Sequence, residues 1–292
     1  MHTGQAFSRL ILGLWRIGDW GLSPAGVANL VQACLDLGID TFDLADIYHD
    51  HACEALFGAA LRTAPALRPR LRLITKCGIR LVSPSRPQHR VKHYDTSREH
   101  LVASADHSLR ALGVERLDLL LIHRPDPLME ADEVAAAFTA LKEAGKVAAF
   151  GVSNFQPHQV DLLQSRLGEP LQAHQLEVSL GQTRALFDGT LDQAQRLRIS
   201  PQAWSPLGGG RLLQALPESA LGRALTRLSG DLEATPEQVA IAWLLRHPAR
   251  IHPVLGSGNP ERLRRLAQAQ SIQLDRQQWF QLLEAATGQE VP

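Results

Sequence analysis

Eight short apolar runs recur along the 292-residue chain, each followed by a longer stretch with helical periodicity. The runs are RLILGLW (9–15), DTFDLA (40–45), LRLITK (71–76), LDLLLIH (117–123), KVAAFGVS (146–153), LQAHQLEV (171–178), RISPQAWS (198–205) and IHPVLGS (251–257). Eight strand–helix units in a chain of this length fit an α/β fold, a single (β/α)8 TIM barrel. The competing arrangement is an open doubly wound sheet. The count of eight and the lack of a GxGxxG after the first run favour closure. No linker, low-complexity tract or short repeat divides the chain, so residues 1–292 are expected to form one domain.

The helical stretches carry their own punctuation. In SPAGVANLVQACLDLG (23–38), Ser23 is placed to cap, Pro24 to open and Gly38 to stop a helix. TSREHLVASADHSLRALG (96–113) offers Thr96 and Glu99 as a capping box and again ends on glycine. ADEVAAAFTALKEAGK (131–146) repeats the form. LVSPSRPQHRVKHYD (81–95), basic and proline-containing, reads as a long irregular loop after the third strand, and TGQEVP as a short tail.

Thirty basic residues balance thirty acidic ones, which removes any general attraction to nucleic acid or an anionic membrane. Cys34, Cys53 and Cys77 have no CxxC spacing and no disulfide framework, as expected in a reducing compartment. The N-terminal apolar stretch is broken by Arg16 and Asp19, too early for a signal peptide or a membrane span. A cytoplasmic protein is the expectation.

Buried parallel strands should be apolar throughout. Here polar residues interrupt them repeatedly at one end: Asp43, Lys76, His123, Ser153 with Asn154, Gln175, Trp204 with Ser205, and Gly256 with Ser257. In a barrel those ends converge on the face where active sites are built. Asp43 is the pointed case, since a carboxylate inside an apolar run needs a cationic partner or a function. Taken singly, each residue has a plain structural role as a loop lysine, a packed histidine or tyrosine, or a cap. Their shared location is the argument for a site.

The segments DTFDLADIY, LITKCG, LDLLLIHRPDP, GKVAAFGVSNF, HQLEV, AWSPLGGGRL and LGSGNPERL, in that order, resemble the aldo-keto reductase family over nearly the full chain. Within it the chain is similar to the bacterial, monomeric type with a short C-terminal tail. The resemblance implies a catalytic tetrad of Asp43, Tyr48, Lys76 and His123. It implies NADPH as cofactor and a small-molecule aldehyde or ketone as substrate. Tyr48 would protonate the developing alkoxide, its pKa drawn toward neutrality by Lys76. Asp43 would keep Lys76 charged, and His123 would orient the carbonyl.

By the same resemblance, Ser153, Asn154 and Gln175 would hold the nicotinamide carboxamide, and Trp204 would stack on the ring. Ser205, Leu207 and Gly209 would lie along the pyrophosphate, and Gly13, Leu14 and Trp15 would border the nicotinamide. Ser257, Gly258, Asn259 and Arg262 would take the adenosine 2′-phosphate, although Gly256 stands where some relatives carry lysine. Trp15 and Trp20 line a substrate pocket or pack over the barrel end, and Arg124 faces the opening or braces a turn. Cys77 reads as a buried free thiol.

Two other functions compete. A nucleotide-binding regulatory subunit would keep fold and cofactor with little turnover. A lyase would use Lys76 as a Schiff-base nucleophile, leaving Tyr48 and Trp204 without a role. A metal hydrolase is disfavoured because the histidines near strand ends lack paired ligand spacing.

Overall fold

The computed structural model describes residues 7–214 and 218–290; the start of the chain, part of the 208–220 loop and the last two residues of the tail lie outside the described residues. Eight parallel strands close into a barrel: β1 (Ile11–Gly13), β2 (Thr41–Asp43), β3 (Arg72–Cys77), β4 (Leu119–Ile122), β5 (Phe150–Ser153), β6 (Ala173–Glu177), β7 (Ser200–Trp204) and β8 (His252–Leu255). Each pairs with its neighbours in sequence, and β8 returns to β1 through Ile11 opposite Val254. Every strand is shorter than its apolar run, because the run also includes the residues leading into and out of the pairing.

Side chains alternate across each strand, which separates two cores. Ile11, Ile74, Leu119, Leu121, Ala149, Ala173 and Val254 meet inside the barrel with Phe7. Leu73, Cys77, Leu120, Ile122 and Val152 face outward into the larger core beneath the helices. Lys76 stands two residues beyond Ile74, so the alternation turns it inward above the apolar plug. That is what places the site at the C-terminal mouth.

The helix Pro24–Asp36 is capped by Ser23, whose Oγ accepts from the Gly26 amide, and Gly38 follows at φ +74°. The helix expected from Thr96 begins later. Ser97 is its cap, accepting from the His100 amide, and the helix spans Arg98–Leu112. Thr96 instead donates to Asp126 Oδ2 at 3.0 Å, tying the helix start to the loop after β4. Asp95 accepts from both the amide and the hydroxyl of Ser97, which fixes the entry one residue downstream. The expected capping box is therefore absent there. The stretch 81–95 also differs from a plain loop, since Ile79–Arg80 and His93–Tyr94 pair as an antiparallel ribbon at its base.

Glycine sets one close approach between helices. A Cβ at Gly58, in the helix Cys53–Thr63, would lie 2.3 Å from the Ala111 carbonyl oxygen of the helix Arg98–Leu112. Alanine would gain about 1 kcal/mol of helix propensity. The clash is with backbone, so whole helices must separate, a repacking that costs roughly 1–3 kcal/mol. Gly58→Ala is therefore expected to be destabilising in urea denaturation; a stabilised variant would show the helices slide apart freely.

Candidate active site

Lys76 is wholly buried, and all three N–H groups of its ammonium have acceptors. Nζ donates to Asp43 Oδ2 at 2.7 Å, to the Leu44 carbonyl at 2.7 Å and to Tyr48 Oη at 3.1 Å. The pairing of β2 with β3 makes this possible, setting Asp43 opposite Ile74, two residues before Lys76. Burial works against the ammonium, but Asp43 and Tyr48 together outweigh it and hold its pKa above the ordinary value. A lysine this committed is a poor amine nucleophile, which speaks against the lyase reading.

Tyr48 accepts from Lys76 and so keeps its own O–H available as a donor. Burial raises its pKa; Lys76 pulls the other way and Asp43 adds to the rise, leaving the net direction upward. The expected drift toward neutrality is not found, because desolvation of a phenolate exceeds the attraction of a single ammonium that Asp43 already half-neutralises. The phenol is protonated at neutral pH, the form that donates.

The His123 ring lies 5.8 Å from that of Tyr48, nearly perpendicular to it. Burial, then Lys76, Arg124 and Lys92, lower its pKa well below the usual imidazole value. It is therefore neutral, and its Nδ1 is buried with no hydrogen-bond partner among the described residues. The tetrad read from sequence converges on one point at the barrel mouth.

Around it, Asn154 is a hub in a left-handed conformation (φ +62°). Its Oδ1 accepts from Trp204 Nε1 at 3.0 Å, and its Nδ2 donates to Ser153 Oγ at 2.7 Å. Gln175 sits on the same face, but its Nε2 already donates to Asp43 Oδ1 at 2.8 Å and to Gln202 Oε1 at 3.1 Å. Only its carbonyl oxygen is left for a carboxamide. Gln202 was missed in the sequence, where a polar amide in the middle of the RISPQAWS run was the available signal. Trp204 carries the Arg124 guanidinium 5.9 Å from its ring centroid, so Arg124 does face the opening.

At the first strand, Gly13 pairs with Asp43, and the Leu14 amide donates to the Asp43 carbonyl while its side chain is buried in the outer core. Trp15 is 58% exposed and lies 6.5 Å from the Tyr48 ring, on the mouth. Trp20 packs its indole over the loop after β8, against Gly258, where a Cβ would come within 2.5 Å.

The loops after β7 and β8 flank the mouth. Ser205 (φ +48°), Gly209 (φ +67°) and Gly210 (φ +94°) turn the first, with Leu207 buried beneath. A Cβ at Gly209, Gly210 or Gly256 would meet nothing within 4 Å, so both loops border open space. In the second, Asn259 Oδ1 accepts from the amides of Glu261 and Arg262, and Ser257 Oγ from the amide of Asn259. The amides of Asn259, Glu261 and Arg262 are thereby satisfied within the loop. A separate cleft of about 560 Å3, lined in part by Phe138, Ala149, Phe150 and Gln172, opens near the starts of β5 and β6 and holds none of these residues.

Behind the tetrad, on the outward face of β3, lies a buried acidic layer. Thr75 Oγ1 donates to Glu54 at 2.6 Å, and Ser104 Oγ donates to Asp46 Oδ2 at 2.8 Å. Asp46 Oδ1 has no partner among the described residues. Burial, offset by the Ser104 bond and reinforced by Glu54, raises the Asp46 pKa to about 7. Cys77 adjoins this layer as a buried free thiol, its pKa pushed well up by burial.

Two outcomes follow from these geometries. Lys76→Met strands Asp43 without its cation and is expected to lose about 3–5 kcal/mol of stability, much of it recovered in a Lys76→Met/Asp43→Leu double variant; denaturant midpoints measure both. Asp46 holds its proton in the fold up to pH about 7 but loses it near 3.8 when unfolded, so its contribution is full below 3.8 and falls as pH rises through 7. Asp46→Asn, which keeps the neutral form, should gain on the native protein by roughly 2–4 kcal/mol between pH 4 and 8; a pH-independent difference in melting would contradict the buried proton.

The Aldo/keto reductase family profile matches residues 9–286. Oxidoreductase YdhF of Escherichia coli is 48% identical over 290 residues, covering 99% of this chain and 97% of that protein. A 6-dehydroglucose reductase of Agrobacterium fabrum is 47% identical, covering 97% and 96%. Among solved structures, the thermostable aldo-keto reductase Tm1743 superposes with a TM-score of 0.82 at 26% identity, covering 97% of each chain. An aldo/keto reductase from Klebsiella pneumoniae, crystallised with NADP and acetate, shares the fold with a TM-score of 0.77 at 23% identity over 95% of this chain and 90% of that one. Matched by the family profile over residues 9–286 and 48% identical to a bacterial oxidoreductase over nearly its whole length, this chain is an oxidoreductase of the aldo/keto reductase family.

Proposed function

We propose that the protein reduces an aldehyde or ketone of a small molecule to the alcohol, with NADPH as hydride source and Tyr48 as proton donor. The observation that carries this reading is the Lys76 ammonium bonded at once to Asp43 and to the Tyr48 oxygen. Because Lys76 donates to the phenol oxygen, the phenol hydrogen is directed away from it, free to meet a carbonyl oxygen. As that oxygen gains charge, Tyr48 transfers its proton, and the adjacent ammonium stabilises the phenolate left behind. His123, neutral beside the Tyr48 ring, can donate an N–H to the same oxygen and fix its direction without adding a charge.

The residues present suit a nicotinamide dinucleotide. Ser153, Asn154 and the free Gln175 carbonyl would bind the carboxamide, and Trp204 offers a flat face held in place by Asn154. A pyrophosphate would run along Ser205, Leu207 and Gly209, where Gly209 borders open space, with Gly13, Leu14 and Trp15 at the ring end. Ser257, Gly258, Asn259 and Arg262 would meet the adenosine ribose. When bound, the nicotinamide supplies the hydride that the protein cannot. The name of the Agrobacterium relative makes an oxidised hexose a natural first substrate to try.

Tyr48→Phe should lower carbonyl reduction by roughly 10²–10⁴-fold while leaving NADPH affinity nearly unchanged. Turnover followed by nicotinamide absorbance, alongside cofactor binding by tryptophan quenching, checks both halves. Retained reduction would assign the proton to another group.

A further inference from the structure

Arg262, in the first turn of the helix Pro260–Ala267, does not stand free. Its Nη2 donates to Glu237 Oε1 at 2.6 Å, and Glu237 lies in the first turn of the neighbouring helix Pro236–Arg246. The side chains are 38% and 18% exposed, so both border solvent while their charges touch. Glu237 is held in place by position, since a carboxylate in a first helical turn is favoured by the backbone dipole.

Arg262 is the sole cation in the segment 256–262, where Gly256 provides no side chain at all. The amides of Glu261 and Arg262 at the start of the helix are taken by Asn259 Oδ1. Arg264 on the same helix is paired with Glu261, so within this segment Arg262 and the Glu237 carboxylate bonded to it form the ion pair that a 2′-phosphate would have to open.

We infer that Glu237 sets the cofactor preference, drawing it away from NADPH and toward NADH by competing with the 2′-phosphate for Arg262. This deepens the cofactor reading above and rests on it. A phosphomonoester, carrying nearly two negative charges at neutral pH, must displace the carboxylate or sit beside it. A ribose 2′-hydroxyl meets no such opposition, because it can donate a hydrogen bond to the same carboxylate. One residue thus penalises the phosphorylated cofactor and offers a partner to the other, the repulsive half of a specificity device. The wild-type protein is expected to be a dual-cofactor enzyme rather than a strict NADPH enzyme.

The test measures binding without turnover. Calorimetry with 2′,5′-ADP and 5′-AMP reads the adenosine end, and tryptophan quenching with NADPH and NADH reads the whole cofactor. In the wild-type protein the two adenosine nucleotides should differ by less than roughly 10-fold in affinity. Glu237→Gln should tighten 2′,5′-ADP by roughly 5–20-fold and leave 5′-AMP unchanged or weaker, with the gain shrinking at high salt. In an Arg262→Gln background, Glu237→Gln should no longer change the ratio of 2′,5′-ADP to 5′-AMP affinity. An unchanged or reversed ratio in Glu237→Gln overturns this inference alone. So does a wild-type protein that already prefers 2′,5′-ADP by 100-fold or more, a measurement that needs no variant to fold. Wild-type protein that binds neither nucleotide overturns both this inference and the cofactor reading beneath it.

Discussion

A buried ammonium with all three donors engaged is the constraint on which the rest depends. An ion of this kind is costly to desolvate, by several kcal/mol even after relaxation, and is tolerated only where geometry is close and every hydrogen is accepted. Lys76 meets that condition because β2 and β3 are paired in one register, and because the chain after β2 turns to bring Tyr48 back over it. The same bonds that make the ion tolerable aim the phenol. The bonds that stabilise the ion and those that orient the Tyr48 oxygen are therefore the same bonds.

The short segment from Asp43 to Tyr48 sits between two polar layers of opposite character. Toward the barrel axis, Asp43 meets a cation and the amide of Gln175, and it stays close to charge-neutral as a pair. On the other side, Asp46 meets a serine hydroxyl and a second buried acid, with no cation bonded to it among the described residues, and burial raises its pKa to about 7. Two aspartates three residues apart thus have opposite surroundings, one facing an ammonium and the other a helix. The Asp46 amide, bonded to the Lys76 carbonyl, couples the two layers through β3.

Much of this was legible in the sequence. The apolar runs gave away eight strands because strands buried on both faces must be continuous in hydrophobicity, and the polar residues at their ends gave away the face of the site. What was not legible follows a common physical theme: competition. Thr96 and Ser97 are equally good caps on paper, and Asp95 and Asp126 decide between them. Tyr48 next to a lysine suggests a lowered pKa, and the depth of burial reverses it. Gln175 looks like a free amide, and Asp43 and Gln202 claim its hydrogens.

The sequence by itself determined which residue types reach the barrel mouth, since strand period and chain order are local properties written in adjacent residues. Only the tertiary structure decided how each of those groups is charged and to whom it is bonded. Desolvation and hydrogen-bond partnership depend on neighbours that are distant along the chain, such as Gln175 for Asp43 and Glu237 for Arg262, and nothing in a linear spacing encodes that choice of partner.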